Sequence, residues 1–408
     1  MATENKEDRM KQPLFAEFPL DEYELRVSRA RALMEKAGID ALLLTQQENV
    51  RYLAGYLSLL WISKFRPLLA VLPRDPSIAP TLILPGQEYG NAKTSWIEEI
   101  AFYRDQEDPI GTVVNVLHKK GLKGKTVGIE LSYGSRVGMA QVQWESLRRS
   151  FGGTFVDSAL LLRQLRGIKS AREIAMLRHA CEISCIGVEA GWHALHEGMS
   201  EKELAAVMIS TMIQQGAEPM KTFLCVTSGP QRYQIVNCPP SDYRLKRGDL
   251  VMIDGGATYN GYCTDFIRQA CLGKPTSQQR EWFDLAKTAN DTAIAAIHPG
   301  VHCAEVYEAG RKVFVDAGLG DYGVINIIGH SCGMEVHELP YVGERGVDTS
   351  DTVIQEGMVF CIEPIIAGMD SPRWEAGIFI QEDMVAVNST GCDVLTNRLS
   401  KDLWLANL

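Results

Sequence analysis

An α/β domain followed by an α+β domain is the fold class this sequence predicts, and three observations carry it. Up to residue 166, short apolar runs alternate with helical segments, as in a layered α/β structure. Beyond it, strands and helices come in separate blocks, which suits an α+β domain with a mostly antiparallel sheet. The chain has 408 residues, more than one hydrophobic core usually serves, so two domains are expected.

Residues 1–18 read as a flexible or partner-contacting arm, 19–166 as the first domain and 167–408 as the second. Over 22–37 the apolar residues Leu25, Val27, Ala30, Leu33 and Met34 recur at helical spacing, and Gly38 ends the helix. Segments 39–45, 68–73, 80–84 and 126–129 read as strands, with a helix over 108–119. Ser170 with Glu173 forms a capping box that opens a helix to about residue 190, and Ser200 with Glu203 repeats the device for 201–215. Strands are then expected at 222–226, 250–254, 262–267, 324–328, 358–362 and 379–387. Helices at 277–297 and 304–317 fall between them.

Composition narrows the function. A net charge of -10 argues against a nucleic-acid or anionic-membrane partner. No stretch is long and apolar enough to span a bilayer, and the polar N-terminus lacks the apolar core of a signal peptide. The ten cysteines include no CxxC pair, so they read as reduced thiols of a cytoplasmic protein.

The chemistry lies in Asp254, Asp265, His330, Glu363 and Glu382, each at or beside an apolar strand-like run. Four carboxylates and an imidazole are too many ionisable groups to bury together without cations. Two divalent ions would balance the four negative charges, which points to a metal-dependent hydrolase. LVMID at 250–254 is an apolar strand ending in a carboxylate, Asn260-Gly261 is a type I′ turn, and YCTDFI at 262–267 is the return strand. In that register Ala257 pairs with Thr264 and Gly256 with Asp265. Asp254 shares the face of Gly256, so the aspartates are diagonal neighbours with Cα atoms roughly 7–8 Å apart. Gly255 and Gly256 are expected to leave the gap between them empty, room for a metal ion. A surface hairpin with solvated aspartates is the alternative. His330 follows an apolar run, where a lone histidine is more often a structural hydrogen-bonder than a ligand. Here Gly329 and Gly333 permit close backbone approach, and His337 follows seven residues on. Glu363 and Glu382 sit in apolar runs where a carboxylate is costly unless it meets a cation, either a metal or the arginine of a structural ion pair.

The order Asp, Asp, His, Glu, Glu, in the contexts IDGG, TDF, GHSCGMEVHELP, IEP and QED, resembles the pita-bread metallohydrolases. These include methionine aminopeptidase, aminopeptidase P, prolidase and creatinase. An α/β domain ahead of the pita-bread domain is the aminopeptidase P, prolidase and creatinase arrangement. The resemblance therefore covers nearly the whole chain. It implies a creatinase-like N-terminal domain, a pita-bread catalytic domain and a homodimer. It also implies a centre of two divalent ions (Mn²⁺, Co²⁺, Fe²⁺ or Zn²⁺) held by Asp254, Asp265, His330, Glu363 and Glu382. The implied activity is that of an Xaa-Pro dipeptidase or aminopeptidase P, in which metal-activated water attacks an amide carbonyl. Glu363 would shuttle the proton, and His337 would contact the substrate and stabilise the tetrahedral intermediate.

Two positions depart from the prolyl-peptidase pattern. Asn237 stands where those peptidases usually carry a histidine, and it can hydrogen-bond a carbonyl without carrying a proton. Ile380 stands where they often carry an arginine, which removes an anchor for an acidic group. Both alter the substrate side and leave the ligands intact. The short-peptide reading therefore stands beside a small-molecule non-peptidase of the same scaffold (a C–N hydrolase or a dimethylsulfoniopropionate lyase) and beside a non-catalytic interaction protein. Arg232 and Tyr233, near Asn237, are candidates for binding a substrate carboxylate. Trp61, Phe65 and Arg66 read as a structural loop, and Cys332 as a packing residue.

Overall fold

The computed structural model describes residues 12–105, 107–132, 134–232, 237–320, 326–366 and 378–406. The chain divides between Arg166 and Gly167 into two units.

The first unit is built on a mixed sheet of order β4-β3-β2-β1-β5-β6. Its strands are β1 (Ala41–Leu44), β2 (Leu69–Pro73), β3 (Thr81–Pro85), β4 (Glu99–Tyr103), β5 (Thr126–Ile129) and β6 (Thr154–Asp157). Helices α1 (Leu20–Ala37), α2 (Gln47–Ala54), α3 (Ile110–Lys119), α4 (Gln141–Phe151) and α5 (Ala159–Gly167) accompany it. Every residue of β1, β2 and β3 is buried, which explains their continuous apolar runs. The edge strands β4 and β6 are half exposed and carry mixed residues, so periodicity did not reveal them. Gly38 ends α1 at a φ of 67°, the left-handed cap that glycine adopts without strain. Of the expected arm, residues 1–11 lie outside the described residues, and the rest packs on this unit. The Leu14 N–H donates to the Lys93 carbonyl (3.0 Å), Glu17 pairs with Arg51, and Arg26 lies 4.2 Å over the Phe18 ring.

The second unit opens with α6 (Ala171–Ala194) and α7 (Glu201–Gln214), each started by the expected capping box. Then come β7 (Phe223–Ser228), the short helix α8 (Gly229–Arg232), β8 (Leu250–Gly256), β9 (Thr258–Tyr259), β10 (Tyr262–Cys263) and β11 (Ile267–Leu272). Helices α9 (Ser277–Ala295) and α10 (Cys303–Asp316) precede β12 (Ile327–Ser331), β13 (Glu338–Gly343), β14 (Val359–Ile362), β15 (Ile365–Ile366), β16 (Phe379–Ile380), β17 (Asp383–Val387), β18 (Cys392–Val394) and β19 (Trp404–Ala406). One sheet runs β19-β11-β8-β7 and the other β13-β12-β14-β17-β18. Among the described residues the pairing is antiparallel except between β11 and β19. Helices α6 and α7 bury Val188 and Met208 against Val226, Ile253 and Phe266. On the other face of β8 and β11, Met252 and Ile267 join Trp282 and Phe283 of α9.

Two expected strands are broken, and both breaks fall at acidic residues. The 262–267 run leaves the ladder at 264–266, and the 379–387 run leaves it at 381–382. Of the expected strand at 324–328, residues 324 and 325 lie outside the described residues. The observed strand continues instead through His330 to Ser331.

One buried ion pair staples the two sheets together. Arg268 of β11 donates through Nη1 to the Glu382 carbonyl (2.7 Å) and through Nη2 to Asp383 Oδ1 (2.7 Å), at the start of β17. Lys401 Nζ sits 2.7 Å from the other oxygen of Asp383. Asp383 is fully buried and Arg268 nearly so, and removing Arg268 leaves that buried carboxylate with Lys401 as its one remaining cation among the described residues. Arg268→Met is expected to lower stability by about 3 kcal/mol, read from urea unfolding followed by circular dichroism.

Candidate metal centre

Strands β8 and β11 set out the first two carboxylates. Asn260 and Gly261 form the turn with φ of 46° and 80°, the double positive φ that a type I′ turn requires. Tyr259 pairs with Tyr262, the Thr264 N–H donates to the Ala257 carbonyl (3.0 Å), and Asp254 pairs with Ile267. The register is the expected one, and Asp265 is the diagonal neighbour of Asp254. Helix α6 backs the hairpin. Ser184 Oγ receives the Ala257 N–H at 2.9 Å and lies 2.7 Å from Thr264 Oγ1, while the Tyr262 hydroxyl donates to Glu173 at 2.9 Å.

Gly255 and Gly256 do not play the expected role. At Gly255 the φ is 114°, and a Cβ on Gly256 would sit 2.2 Å from Thr264 Oγ1 and 3.0 Å from Ser184 Oγ. The bare position at Gly256 lets α6 and the return strand close on β8, and it does not make room beside Asp254.

His330 on β12 is the histidine of the set. Its Nδ1 donates to the Ser331 carbonyl at 3.0 Å, which leaves the Nε2 lone pair facing the carboxylates. From Nε2, Glu363 Oε1 is 3.6 Å away, Asp265 Oδ2 3.8 Å and Glu382 Oε1 4.0 Å. Ligand atoms of Asp254, Asp265 and Glu382 also lie within 4.8 Å of one another. All five residues chosen from the sequence therefore meet in one place. Backbone contacts hold the glutamates there. The Glu363 N–H donates to the Ile328 carbonyl (2.7 Å), Asn290 donates to the Ile362 carbonyl (2.6 Å), and Arg268 holds the Glu382 carbonyl.

The electrostatics call for a cation. Asp265 Oδ1 and Glu382 Oε1 are buried with no hydrogen-bond partner. Among the described residues no lysine or arginine pairs with any of the four carboxylates, so the arginine alternative for Glu363 and Glu382 finds no support. Burial pushes all four upward. Asp254 is raised, Asp265 and Glu382 are raised well above the carboxylate range with help from neighbouring carboxylates, and Glu363 reaches about 8. Burial lowers His330 to about 4, which keeps its imidazole neutral and ready to act as a ligand. Orphaned carboxylate oxygens around an unprotonated imidazole nitrogen are a donor set that fits divalent cations.

His337 is exposed at the edge of the site, its ring 4.3 Å from that of His330 and its pKa lowered by desolvation. Asn237 is exposed at a left-handed φ of 57°. Arg232 ends α8, and Tyr233 lies outside the described residues. Ile380 pairs with Ile365 and is buried in the apolar cluster of Trp282, Ile378 and Phe379, so that position lines a core. Cys332 is buried and donates to the Cys263 carbonyl at 3.3 Å. In the first unit Arg66 is tied to Asp105 at 2.6 Å and Phe65 is exposed. Cys361 was missed: it is the cross-strand partner of His330, and its sulfur lies within 4.8 Å of ligand atoms of His330 and Glu382. Burial pushes its thiol well above the ordinary range. Its pairing partner lies on another strand, so no local pattern marked it.

The sequence matches metallopeptidase family M24 over residues 175–388 and the Creatinase/Prolidase N-terminal domain over residues 26–168. It is 31% identical over 374 residues to an Xaa-Pro dipeptidase of Pyrococcus horikoshii, covering 91% of this chain and 96% of that one. An Xaa-Pro dipeptidase of Pyrococcus furiosus is 31% identical over 374 residues, with 91% and 97% covered. Among solved structures, the dipeptidase PepE of Mycobacterium ulcerans superposes with a TM-score of 0.80 at 29% identity, covering 95% of this chain and 99% of that one.

Two outcomes are expected. Asp265→Ala and Glu382→Ala should each lose bound metal and hydrolytic activity together, measured by elemental analysis and turnover on the same preparation. In metal-free protein, folding raises these carboxylate pKa values, so the folded state holds more protons than the unfolded chain. The contribution of these carboxylates to stability is then greatest in acid and falls as pH rises, for Glu363 from its ordinary 4.5 up to about 8. Melting temperatures of chelator-treated protein should decline across that window. The decline should shrink in Glu363→Gln and on adding Mn²⁺.

Proposed function

This chain belongs to metallopeptidase family M24, and on that premise we propose that it hydrolyses short peptides of the Xaa-Pro type at a centre of two divalent ions. The observation that carries the reading is the pair of orphaned oxygens, Asp265 Oδ1 and Glu382 Oε1, enclosed with the free Nε2 of His330. Asp254, Asp265, His330, Glu363 and Glu382 would hold the ions. When bound, divalent ions supply Lewis acidity that polarises an amide carbonyl and acidifies the attacking water.

The chain's own residues do the rest. Glu363 keeps nearly a third of its side chain exposed and is placed to take a proton from water and return it to the departing amine. His337, at the solvent edge beside His330, is the group that meets the substrate carbonyl as charge develops on it. Asn237, Arg232 and Tyr233 complete the substrate side of the reading. With Ile380 buried in an apolar cluster, no cation stands at that position, so any anchor for a substrate carboxylate comes from elsewhere. Carboxylate-rich ligation suits Mn²⁺, Co²⁺, Fe²⁺ or Zn²⁺, and manganese is our choice among them. A homodimer in the cytoplasm completes the proposal, and ten free cysteines are in keeping with a reducing compartment. The Xaa-Pro dipeptidase relatives do not favour the non-peptidase or the non-catalytic alternative.

The test is elemental analysis of the purified protein followed by hydrolysis of Gly-Pro and longer Xaa-Pro peptides with Mn²⁺, Co²⁺ or Zn²⁺ added. Two ions per chain with cleavage confined to the Xaa-Pro bond are expected. Metal binding with no peptide cleavage would overturn the substrate assignment. His337→Ala should keep its metal and lose roughly 10²-fold in kcat, the size typical of removing one donor to a developing oxyanion.

A further inference from the structure

The segment joining the two histidines is closed at its neck by one buried lysine. His330 and Ser331 end β12, Glu338 starts β13 directly opposite Ser331, and His337 immediately precedes Glu338. Lys169 Nζ donates to Ser331 Oγ at 3.2 Å and to Glu338 Oε2 at 3.2 Å, so one ammonium group holds both ends of the segment. The side chains of Lys169 and Glu338 are 1% and 5% exposed. The other Glu338 oxygen receives the Glu335 N–H at 3.3 Å, and a Cβ on Gly333 would come within 2.8 Å of the carboxylate. The segment is thus folded over Glu338. Lys169 is itself fixed: its N–H donates to the Gly357 carbonyl at 2.8 Å, and the next residue, Ser170, caps α6.

A fully buried ion pair is poor value as a source of stability, because desolvation of both charges offsets their attraction and an apolar pair of similar volume often does as well. What it supplies is one arrangement of fixed geometry. We propose that Lys169 is a positioning residue for the reaction, holding the neck of segment 331–338 so that His337 keeps its place beside His330. The inference rests on the reading of His337 as the substrate-facing group.

The test compares wild type, Lys169→Met and Lys169→Met/Glu338→Leu, all full-length and Mn²⁺-loaded for metal analysis and kinetics. Zn²⁺-loaded samples serve for imidazole nitrogen NMR, with the His337 signal assigned from His337→Ala. Lys169→Met is expected to keep its metal content, shift or broaden the His337 signal, and lower kcat on Gly-Pro at least tenfold with KM changed less than twofold. The double variant removes the carboxylate together with its ammonium partner and restores the melting temperature, yet its His337 signal and kcat should stay perturbed. If kcat and the His337 signal return together with stability in the double variant, the pair is only structural and the proposal fails. An unmoved His337 signal in Lys169→Met also overturns it. If the signal moves while both Lys169→Met and His337→Ala keep full kcat, the clamp stands and the role of His337 is the part that fails. The NMR result decides the positioning even if Gly-Pro is not cleaved.

Discussion

Four carboxylates and a neutral imidazole share one largely enclosed space, and much of the second unit is arranged around that constraint. Like charges at this spacing repel, and burial raises the cost of each further. A fold can keep such a cluster by holding its members rigidly and letting protons or bound cations meet their charge. The ladder breaks at 264–266 and 381–382 serve this end. There Asp265 and Glu382 leave regular pairing and turn inward, while hydrogen bonds to neighbouring backbone atoms keep the chain in place.

Adjacent residues show how sharply the charge is sorted. Burial works against the ionised form of both Glu382 and Asp383, and neither is exposed. Asp383 has Arg268 and Lys401 against it and is held below the ordinary carboxylate range, whereas Glu382 lies among carboxylates, a neutral histidine and the Cys361 thiol and is raised. Asp383 is met by cations of the protein, and Glu382 by none among the described residues. The same Arg268 that neutralises Asp383 also holds the Glu382 carbonyl, so the structural pair orients its functional neighbour. Lys169 stands in a comparable relation to the two histidines, through Ser331 on one side and Glu338 on the other.

Much of this was legible locally. Apolar runs ending in carboxylates, an Asn-Gly turn and two capping boxes are short-range signals, and each names its own geometry. The hairpin register followed from the turn alone, and with it the diagonal placement of Asp254 and Asp265. The reading of Gly256 went wrong because alternation along a strand assumes unbroken backbone geometry, and the positive φ of Gly255 breaks it. Cys361, Asn290, Arg268 and Lys169 were not legible at all. Their roles depend on partners 31, 72, 114 and 169 residues away, and no periodicity reports a partner at that distance.

By itself, the sequence picked out which acidic side chains stand in apolar runs, where a carboxylate is costly wherever the chain folds it. It also determined the local elements that present them, since turns and caps are matters of a few neighbouring residues. Only the tertiary structure decided which carboxylates were satisfied internally and which were left facing one another. That choice turns on which cation packs against which oxygen, as Arg268 does against Asp383 and no lysine or arginine does against Glu382 among the described residues. Charge balance is a property of the assembled space, and the linear order of residues does not contain it.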